Sequence, residues 1–382
     1  MRLRLGFKRA RLARREAIPY RAHLAGIVAA ALVVRIFVAM RYATPANFSD
    51  MAEYNRLAVK GGFDAFRPPL YPLFLRAIYA VTGDYNYIAV YVAQAILGAL
   101  TVLLMYRVVA GLWSRFAGLV AAIVCAVYPA FIGYTLTTLT ETVSLLIVAL
   151  MMSTAVSPAR DRTKAAAQGV IAAVGILTKP AFLYFVPGLF LTLRRRALFC
   201  VVLAAIVAPW VAGNAIRFHR MSPVSESGAL MFYRSYNPAA TGRDDARIGN
   251  DTTSQSTYFK LGLDFIRHNK LLTLDIVNNK LVILLEATWD EYVMGHYVRS
   301  MPAIYALRYA FVLVLIPGLI GLARLYRREH RPVVWPVASY LVLIVVLSAF
   351  KYRYRLLVEP LLIAYAAMLI SGGGEEAREE PR

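Results

Sequence analysis

Cysteine, histidine and acid are all scarce in this sequence. Two cysteines, Cys125 and Cys200, and five histidines occur in 382 residues. Both cysteines lie inside apolar runs, which argues against a disulfide framework and against a cysteine-built metal site. His219, His268 and His296 share one segment without ligand spacing, so they read as ordinary loop histidines. Charge is also scarce: 17% of residues are charged and 59% are hydrophobic, with a mean hydropathy of +0.55. A soluble domain of this length is not so apolar, and the composition is that of a polytopic membrane protein.

Among the charges that are present, 43 Lys and Arg face 22 Asp and Glu, a formal net charge of +21. On a soluble chain that balance would raise nucleic acid as a partner. Here the basic residues flank apolar runs, where membrane orientation and anionic membrane lipids account for them, and no nucleic-acid motif is found.

Windows of about 19 residues give about ten candidate spans. They are Leu24 to Met40, Tyr87 to Val109, Phe116 to Ile132, Leu139 to Ser157, Ala165 to Leu177, Ala181 to Leu193, Leu198 to Ala215, Ala303 to Leu325, Val333 to Phe350, and Leu356 to Ile370. Between the fifth and sixth, "TKPAFLYFVP" reads equally well as a re-entrant corner. The basic stretch 1–21, "MRLRLGFKRARLARRE" at its start, reads as a cytoplasmic N-terminus followed by a retained signal anchor. The small-residue "ATPA" after it mimics a cleavage site, but the apolar run is longer than the roughly 7–15 residues of a signal h-region.

With the N-terminus inside, the short inner connections are uniformly basic: Arg107 and Arg115, then Arg160, Arg162 and Lys164, then Arg194, Arg195 and Arg196, then Arg324, Arg327, Arg328 and Arg331. This orientation makes 22–371 one polytopic domain and 372–382 an acidic cytoplasmic tail. Two long segments, 41–86 and 216–301, then face outward. Within the first, Pro68 and Pro69 force an extended approach to a short helix. Within the second, Leu261, Phe265, Leu272, Ile276 and Leu284 are spaced as on interfacial helices. The expected fold is all-α, integral to the cytoplasmic (inner) membrane, with chemistry at its outer surface.

The polar residues gather at the outer ends of the spans, away from the middles where a transporter usually carries them, and no internal repeat is found. Arg35 is the deepest charge of the first span and lies near enough to its outer end to snorkel. Asp50, in "NFSDMAEY", is either a helix-start acid competing with Ser49 for the cap or a functional carboxylate. Glu53, one turn on, reads as a helix-surface residue. Glu141 begins the fourth span, where the helix dipole alone favours a carboxylate, yet it shares a depth with Asp50. Arg67 pairs either with Asp64 or with a phosphate, and Lys179 precedes a proline at another outer corner.

The hairpin "KYRYR" is the anomaly: Lys351, Arg353 and Arg355 face outward against the orientation rule. A helix dipole and an Arg355–Glu359 contact one turn apart account for one or two of them. Three cations at headgroup level favour an anion, and phosphate suits Arg's forked donors. Acids and cations on one surface suit sugar transfer from a polyprenyl phosphate. A base takes the acceptor proton, and positive charge stabilises the departing phosphate. A flippase or transporter of a lipid-linked saccharide would hold phosphate with the same cations, and a polymerase or ligase of lipid-linked glycans would share the architecture.

The pieces "FSDMAEYNRLA", "FRPPLYPLFLRAIYAVTG", "YVAQAILGALTVLLMYRV", "YPAFIGYTLTTLTETVSLL", "GILTKPAFLYFVP", "PWVAGNAIRFH" and "RYRLLVEPLLIAYAA" occur in an order that resembles the protein O-mannosyltransferase-like branch of the GT-C membrane glycosyltransferases. That branch includes the lipid A aminoarabinose transferases. The resemblance implies a polyprenyl-phosphate sugar donor, a lipid, glycan or protein acceptor and inversion at the anomeric carbon. It implies Asp50 as catalytic base or acceptor-orienting group, Glu141 as the catalytic-site carboxylate of the second outer loop that positions acceptor or substrate, and Arg353 and Arg355 near the donor phosphate. Arg67, Lys179 and Lys351 complete the candidate phosphate site, and Glu53, Tyr71, Tyr233, Tyr236 and Asn237 the candidate substrate pocket. The chain departs in having Met51 where many relatives have Glu, and in lacking the additional soluble domain of larger members. The first departure weakens a metal at that loop, so no cofactor is expected, with a divalent metal left open.

Overall fold

Long apolar runs form helices because, in a hydrocarbon environment, the backbone must satisfy its own hydrogen bonds. The computed structural model describes residues 2–42, 49–218, 224–243, 255–286 and 309–372, with side chains from Tyr20 onward. His219 and His296, the "ATPA" stretch and the acidic tail beyond 372 lie outside the described residues. Within them the chain is helical, apart from turns and one isolated parallel bridge between Arg243 and Phe350.

The helices run α1 Arg2–Tyr42, α2 Asp50–Lys60, α3 Leu70–Thr82, α4 Tyr87–Leu112, α5 Arg115–Val127, α6 Pro129–Gly133, α7 Glu141–Val156, α8 Asp161–Thr178, α9 Val186–Thr192 and α10 Arg196–Phe218. They continue with α11 Ser227–Ser235, α12 Gln255–His268, α13 Lys270–Leu285, α14 Ala310–Leu325, α15 Arg331–Leu347, α16 Tyr352–Arg355 and α17 Glu359–Ile370. Starts are set by local chemistry. The Asn86 side chain accepts from Ala89 N at 3.1 Å to open α4, and Ser114 accepts from Ala117 N at 3.2 Å to open α5.

Among the described residues each apolar run contains helical structure, the eighth from Ala310 onward, but the runs are not equal. Among the described residues four helical stretches are long and apolar enough to cross a membrane: Tyr20–Tyr42, Tyr87–Leu112, Arg196–Arg217 and Arg328–Leu347. The third run bends by 51° between α5 and the helical segment starting at Pro129, whose ring cannot continue the ladder. The sixth is also broken: Pro180–Phe185 is a 3₁₀ turn leading into α9, the corner that Lys179-Pro180 allowed. The described parts of the long segments carry helices, α2 and α3 in the first and α11 to α13 in the second. Of the expected buried positions, Phe265 and Ile276 are buried, whereas Leu261 and Leu272 are exposed.

α4 lies at the centre, packed by α1, α5 and α7, and α14 packs along α17. The latter approach needs small residues. A Cβ on Gly318 would lie 2.7 Å from the Leu362 carbonyl oxygen, and one on Gly321 2.4 Å from that of Tyr365.

Arg35 does not snorkel. It is buried, and its guanidinium donates to the carbonyls of Cys125 and Ala126 at 3.0 Å each and of Ala31 at 3.1 Å. The Cys125 and Ala126 carbonyls lie in the last turn of α5, where the break before Pro129 leaves acceptors without helical donors. A cation there also answers the helix dipole.

Helices alternate in direction, so their ends collect into two sets. Asp161 and Arg194, from the connections before α8 and before α10, pair at 3.4 Å, and Arg327 lies over the Trp113 ring at 5.3 Å. The basic connections thus share one end. The end of α8, the start of α7 and the end of α15 meet at the other, under the two long segments.

Candidate active site

Four stretches converge at that second end: the start of α2, the Asp64–Pro69 turn, the α7 and α8 ends, and the hairpin between α15 and α17. Asp50 opens α2, but neither it nor Ser49 makes a side-chain cap. Its carboxylate reaches outward, to Arg353 Nη2 at 2.6 Å and to Arg67 Nη2 at 3.1 Å. Arg67 spans onward to Asp64 at 3.0 Å, so pairing with Asp64 and with the site occur together. Pro68 and Pro69 keep this turn out of the helix, which starts only at Leu70.

Deeper, Lys179 Nζ donates to Glu141 Oε1 at 2.9 Å, and Arg353 Nε stands 3.8 Å from the same oxygen. Arg353 therefore lies between the two carboxylates that the sequence places 91 residues apart (141 − 50). Its Nε is buried and makes no hydrogen bond. Lys179 also sits over the Tyr354 ring at 5.3 Å. Glu141 is wholly buried, so it serves as the support that aims Lys179 and Arg353.

The support beneath is neutral and fully bonded. Tyr71 is buried and donates to Gln94, which in turn donates to the carbonyls of Thr135 and Thr137. Asn55 bonds Thr138 at 3.0 Å and accepts from Tyr79 at 2.8 Å. These bonds tie α2 and α3 to the turn that carries Glu141. Tyr54 packs edge-on against Tyr71 at 5.0 Å and faces the Arg67 guanidinium at 5.8 Å.

The hairpin is held from above. Ala349 N donates to Met231 O at 3.1 Å and Phe350 N to Gly242 O at 2.9 Å, so the second long segment pins the chain just before Arg353. Glu286 takes a forked contact from Arg243 at 2.9 and 3.0 Å and also bonds Tyr352.

Several expected site residues fall elsewhere. Arg355 is buried in a pair with Glu359 at 3.1 Å, donates to the carbonyls of Leu284 and Glu286, and lies against the Phe311 ring. It is turned into the protein because residues one and three steps along a single helical turn cannot face the same way. Glu53 pairs with Arg56 at 2.8 Å on the exposed side of α2. Tyr71 is a buried strut. Tyr236 bonds the Val346 carbonyl, and Asn237 turns back on Tyr233 O and Arg234 O to close α11. Tyr233 stacks on Tyr258 at 5.3 Å.

Beside the charged cluster opens a cavity of about 530 Å³. Lys179, Tyr184 and Tyr354 form one wall, and Ser225, Met231 and Phe259 the other. The second long segment thus does line a pocket, through neighbours of Tyr233 and Tyr236 rather than those residues themselves.

Electrostatics follow from the pairing. Burial would raise the Asp50 carboxyl, but the Arg353, Lys351 and Arg67 charges and the Arg353 hydrogen bond hold it well below the usual carboxylate range. Burial lowers Lys179, and Arg353 lowers it further against the opposing pull of Glu141 and Asp50. Burial would lower Arg353 too, but Asp50 and Glu141 raise it well above its ordinary value. The cluster is charge-paired at neutral pH, with Lys351 as added positive field.

A divalent metal fits this donor set poorly. Asp50, Asp64 and Glu141 each carry a cationic partner at 3.1 Å or less, and among the described residues no three His, Cys, Asp or Glu side chains converge.

Residues 66–219 match the family model of the dolichyl-phosphate-mannose-protein mannosyltransferases. About nine-tenths of the chain superposes on archaeal oligosaccharyltransferase AglB from Archaeoglobus fulgidus. The fold is GT-C-like. The form of that enzyme in complex with an inhibitory peptide and a dolichol-phosphate superposes with TM-score 0.53 at 14% identity, over 91% of this chain and 50% of the other. The form tethered to an acceptor peptide containing the NVT sequon gives 0.52 at 13% identity over 91% and 49%. The form with Zn and sulfate gives 0.51 at 14% over 89% and 48%. The chain spans about half the length of these structures. No curated protein matches the sequence. Within this GT-C-like framework the 66–219 match covers Arg67, Glu141 and Lys179, while Asp50 and Arg353 lie outside it and join the cluster only in space.

Sequence reasoning missed Tyr54 and Tyr354, which flank the cations. The one available signal was their position within "DMAEY" and "KYRYR", beside the charges that drew attention.

Proposed function

We propose that this protein is a membrane glycosyltransferase that moves a sugar from a polyprenyl-phosphate donor to an acceptor hydroxyl at the outer face of the cytoplasmic membrane, with inversion. The observation that carries this reading is the bridge of Arg353 between Asp50 and Glu141, with Glu141 paired to Lys179, which lines the neighbouring cavity. Similarity to dolichyl-phosphate-mannose-protein mannosyltransferases over 66–219 supports the donor class.

In the proposed reaction the donor phosphate lies against Arg353, Lys179 and Lys351. The acceptor oxygen attacks the anomeric carbon, forming the new C–O bond as the bond to the phosphate oxygen breaks. Polyprenyl phosphate leaves as an anion and needs no general acid, while the acceptor proton passes to an Asp50 oxygen. The cations act by stabilising charge that develops on the leaving phosphate. A phosphate binding Arg353 competes with Asp50 for the guanidinium, which frees the carboxylate for the acceptor. Arg67 retains its hold on Asp50 and sets its direction.

The test is transfer from a panel of labelled polyprenyl-phosphate monosaccharides by purified protein in lipid. Stoichiometric release of polyprenyl phosphate with glycosylated product supports the reading. Movement of the donor between leaflets without cleavage would make the protein a transporter instead.

A further inference from the structure

A second concavity lies at the opposite end of the bundle from the charged cluster. Pro187 and Leu191 of α9, Leu322 and Tyr326 at the end of α14, and Trp335 and Val342 of α15 line a groove of about 730 Å³. That volume lies within the roughly 300–1,000 Å³ of small-molecule sites. Its floor is formed where α9 meets α15 most closely: Gly188 N donates to Ser339 Oγ at 3.1 Å, and a Cβ on Gly188 would lie 2.3 Å from the Trp335 carbonyl oxygen. Ser339 spends its own proton on nearby carbonyls, so the groove wall offers hydrocarbon and no unsatisfied polar atom at that point.

The rim is different. Trp335 donates its indole N–H to the Tyr326 hydroxyl at 3.3 Å, an aromatic pair of the kind that sits at headgroup level. Arg331 lies over the Trp335 ring at 5.6 Å on one wall. On the other wall Arg196 reaches back to the carbonyls of Leu191 and Leu193 at 3.2 and 3.3 Å. Arg194, Arg195, Arg324, Arg327 and Arg328 are close to these two in the chain, and Arg194 is paired with Asp161 at 3.4 Å. Any groove open to a bilayer fills with a hydrocarbon chain; the rim charge selects the headgroup. Guanidiniums on both walls attract a phosphate that carries net negative charge and repel a choline.

We propose that this groove is a binding site for an anionic glycerophospholipid, with an acyl chain between α9, α14 and α15 and the phosphate between Arg196 and Arg331. It is separate from the donor-phosphate cluster and needs no part of the proposed reaction to be correct.

The probe is a mixture of phosphatidylcholine and phosphatidylglycerol vesicles, presented to the detergent-purified protein, with retained lipid read by native mass spectrometry. The wild type is expected to retain phosphatidylglycerol at least about tenfold over phosphatidylcholine, and Arg196→Gln/Arg331→Gln to bring that preference close to parity. Ala338→Phe, which fills the groove and leaves every charge in place, is expected to lose retained lipid of both kinds. An equal yield of the two lipids in wild type overturns the proposal. So does a preference unchanged in both variants, or displacement of phosphatidylglycerol by equimolar polyprenyl phosphate, which would make the groove a donor-tail channel.

Discussion

Arg353 Nη2 stands 2.6 Å from Asp50 Oδ2, joining residues 303 positions apart, and its Nε faces Glu141. In the proposed reaction an arginine so placed would hold Asp50, Glu141 and the approaching phosphate to one geometry. A lysine offers one compact charge and cannot make both contacts. Arg353→Lys is expected to lower kcat/KM by about 100-fold or more, with the larger share in kcat. Steady-state kinetics with a cleavable polyprenyl-phosphate sugar measure it.

The pH dependence follows from the direction in which Asp50 is shifted. Its carboxyl is held below the usual range, so its ionisation supports folding above the ordinary value of about 3.9 and that support is lost only as pH falls through the lower folded value. The acid limb of kcat/KM should therefore lie below about pH 4. Arg67→Gln removes one cation and should move that limb to higher pH. An unmoved limb would mean that Asp50 does not titrate in the step observed.

Glu141 and Lys179 form a buried pair, and a half-pair is worse than none. Lys179→Met alone is expected to cost about 3–5 kcal/mol of stability, and Glu141→Gln/Lys179→Met to recover much of that loss. Thermal unfolding in detergent reads stability; transfer activity should stay low in both, because the phosphate has lost a partner.

Lys280 gives an independent check on the second long segment. Its ammonium is buried, 2.9 Å from the Val345 carbonyl and 4.5 Å from the centre of the Tyr236 ring. Burial pushes it down to about 7. Unfolded lysine titrates near about 10.4, so between these values the unfolded chain binds more protons and stability rises with pH. The difference in melting temperature between wild type and Lys280→Met should therefore shift in favour of wild type from pH 7 to 10.

Much of this was legible in the sequence because membranes punish misplaced charge. Arg353 stood out because orientation did not fully explain its hairpin, while the residues alone left Asp50 and Arg67 open between a bland and a functional role; the structure brings the three together. The ten apolar runs were visible for the same reason. What the sequence withheld was depth and direction. Glu141 and Lys179 open one helix and close another, 38 positions apart, and no spacing rule pairs them. Arg35 looked free to snorkel because the acceptors it satisfies belong to the broken end of another helix. In the second long segment the right helix was found and the wrong face: Met231 and Phe232 line the cavity, while Tyr236 and Asn237 are spent on backbone carbonyls.

The central claim is that Asp50 acts on the acceptor while Arg353 holds the donor phosphate. Donor binding and turnover measured side by side for Asp50→Asn and Arg353→Gln in the same lipid test it most directly. The account predicts that Asp50→Asn keeps or tightens donor binding, since Arg353 is released, and loses turnover by at least about 100-fold. It predicts that Arg353→Gln loses binding as well. Turnover retained in Asp50→Asn, or donor binding untouched in Arg353→Gln, would contradict it.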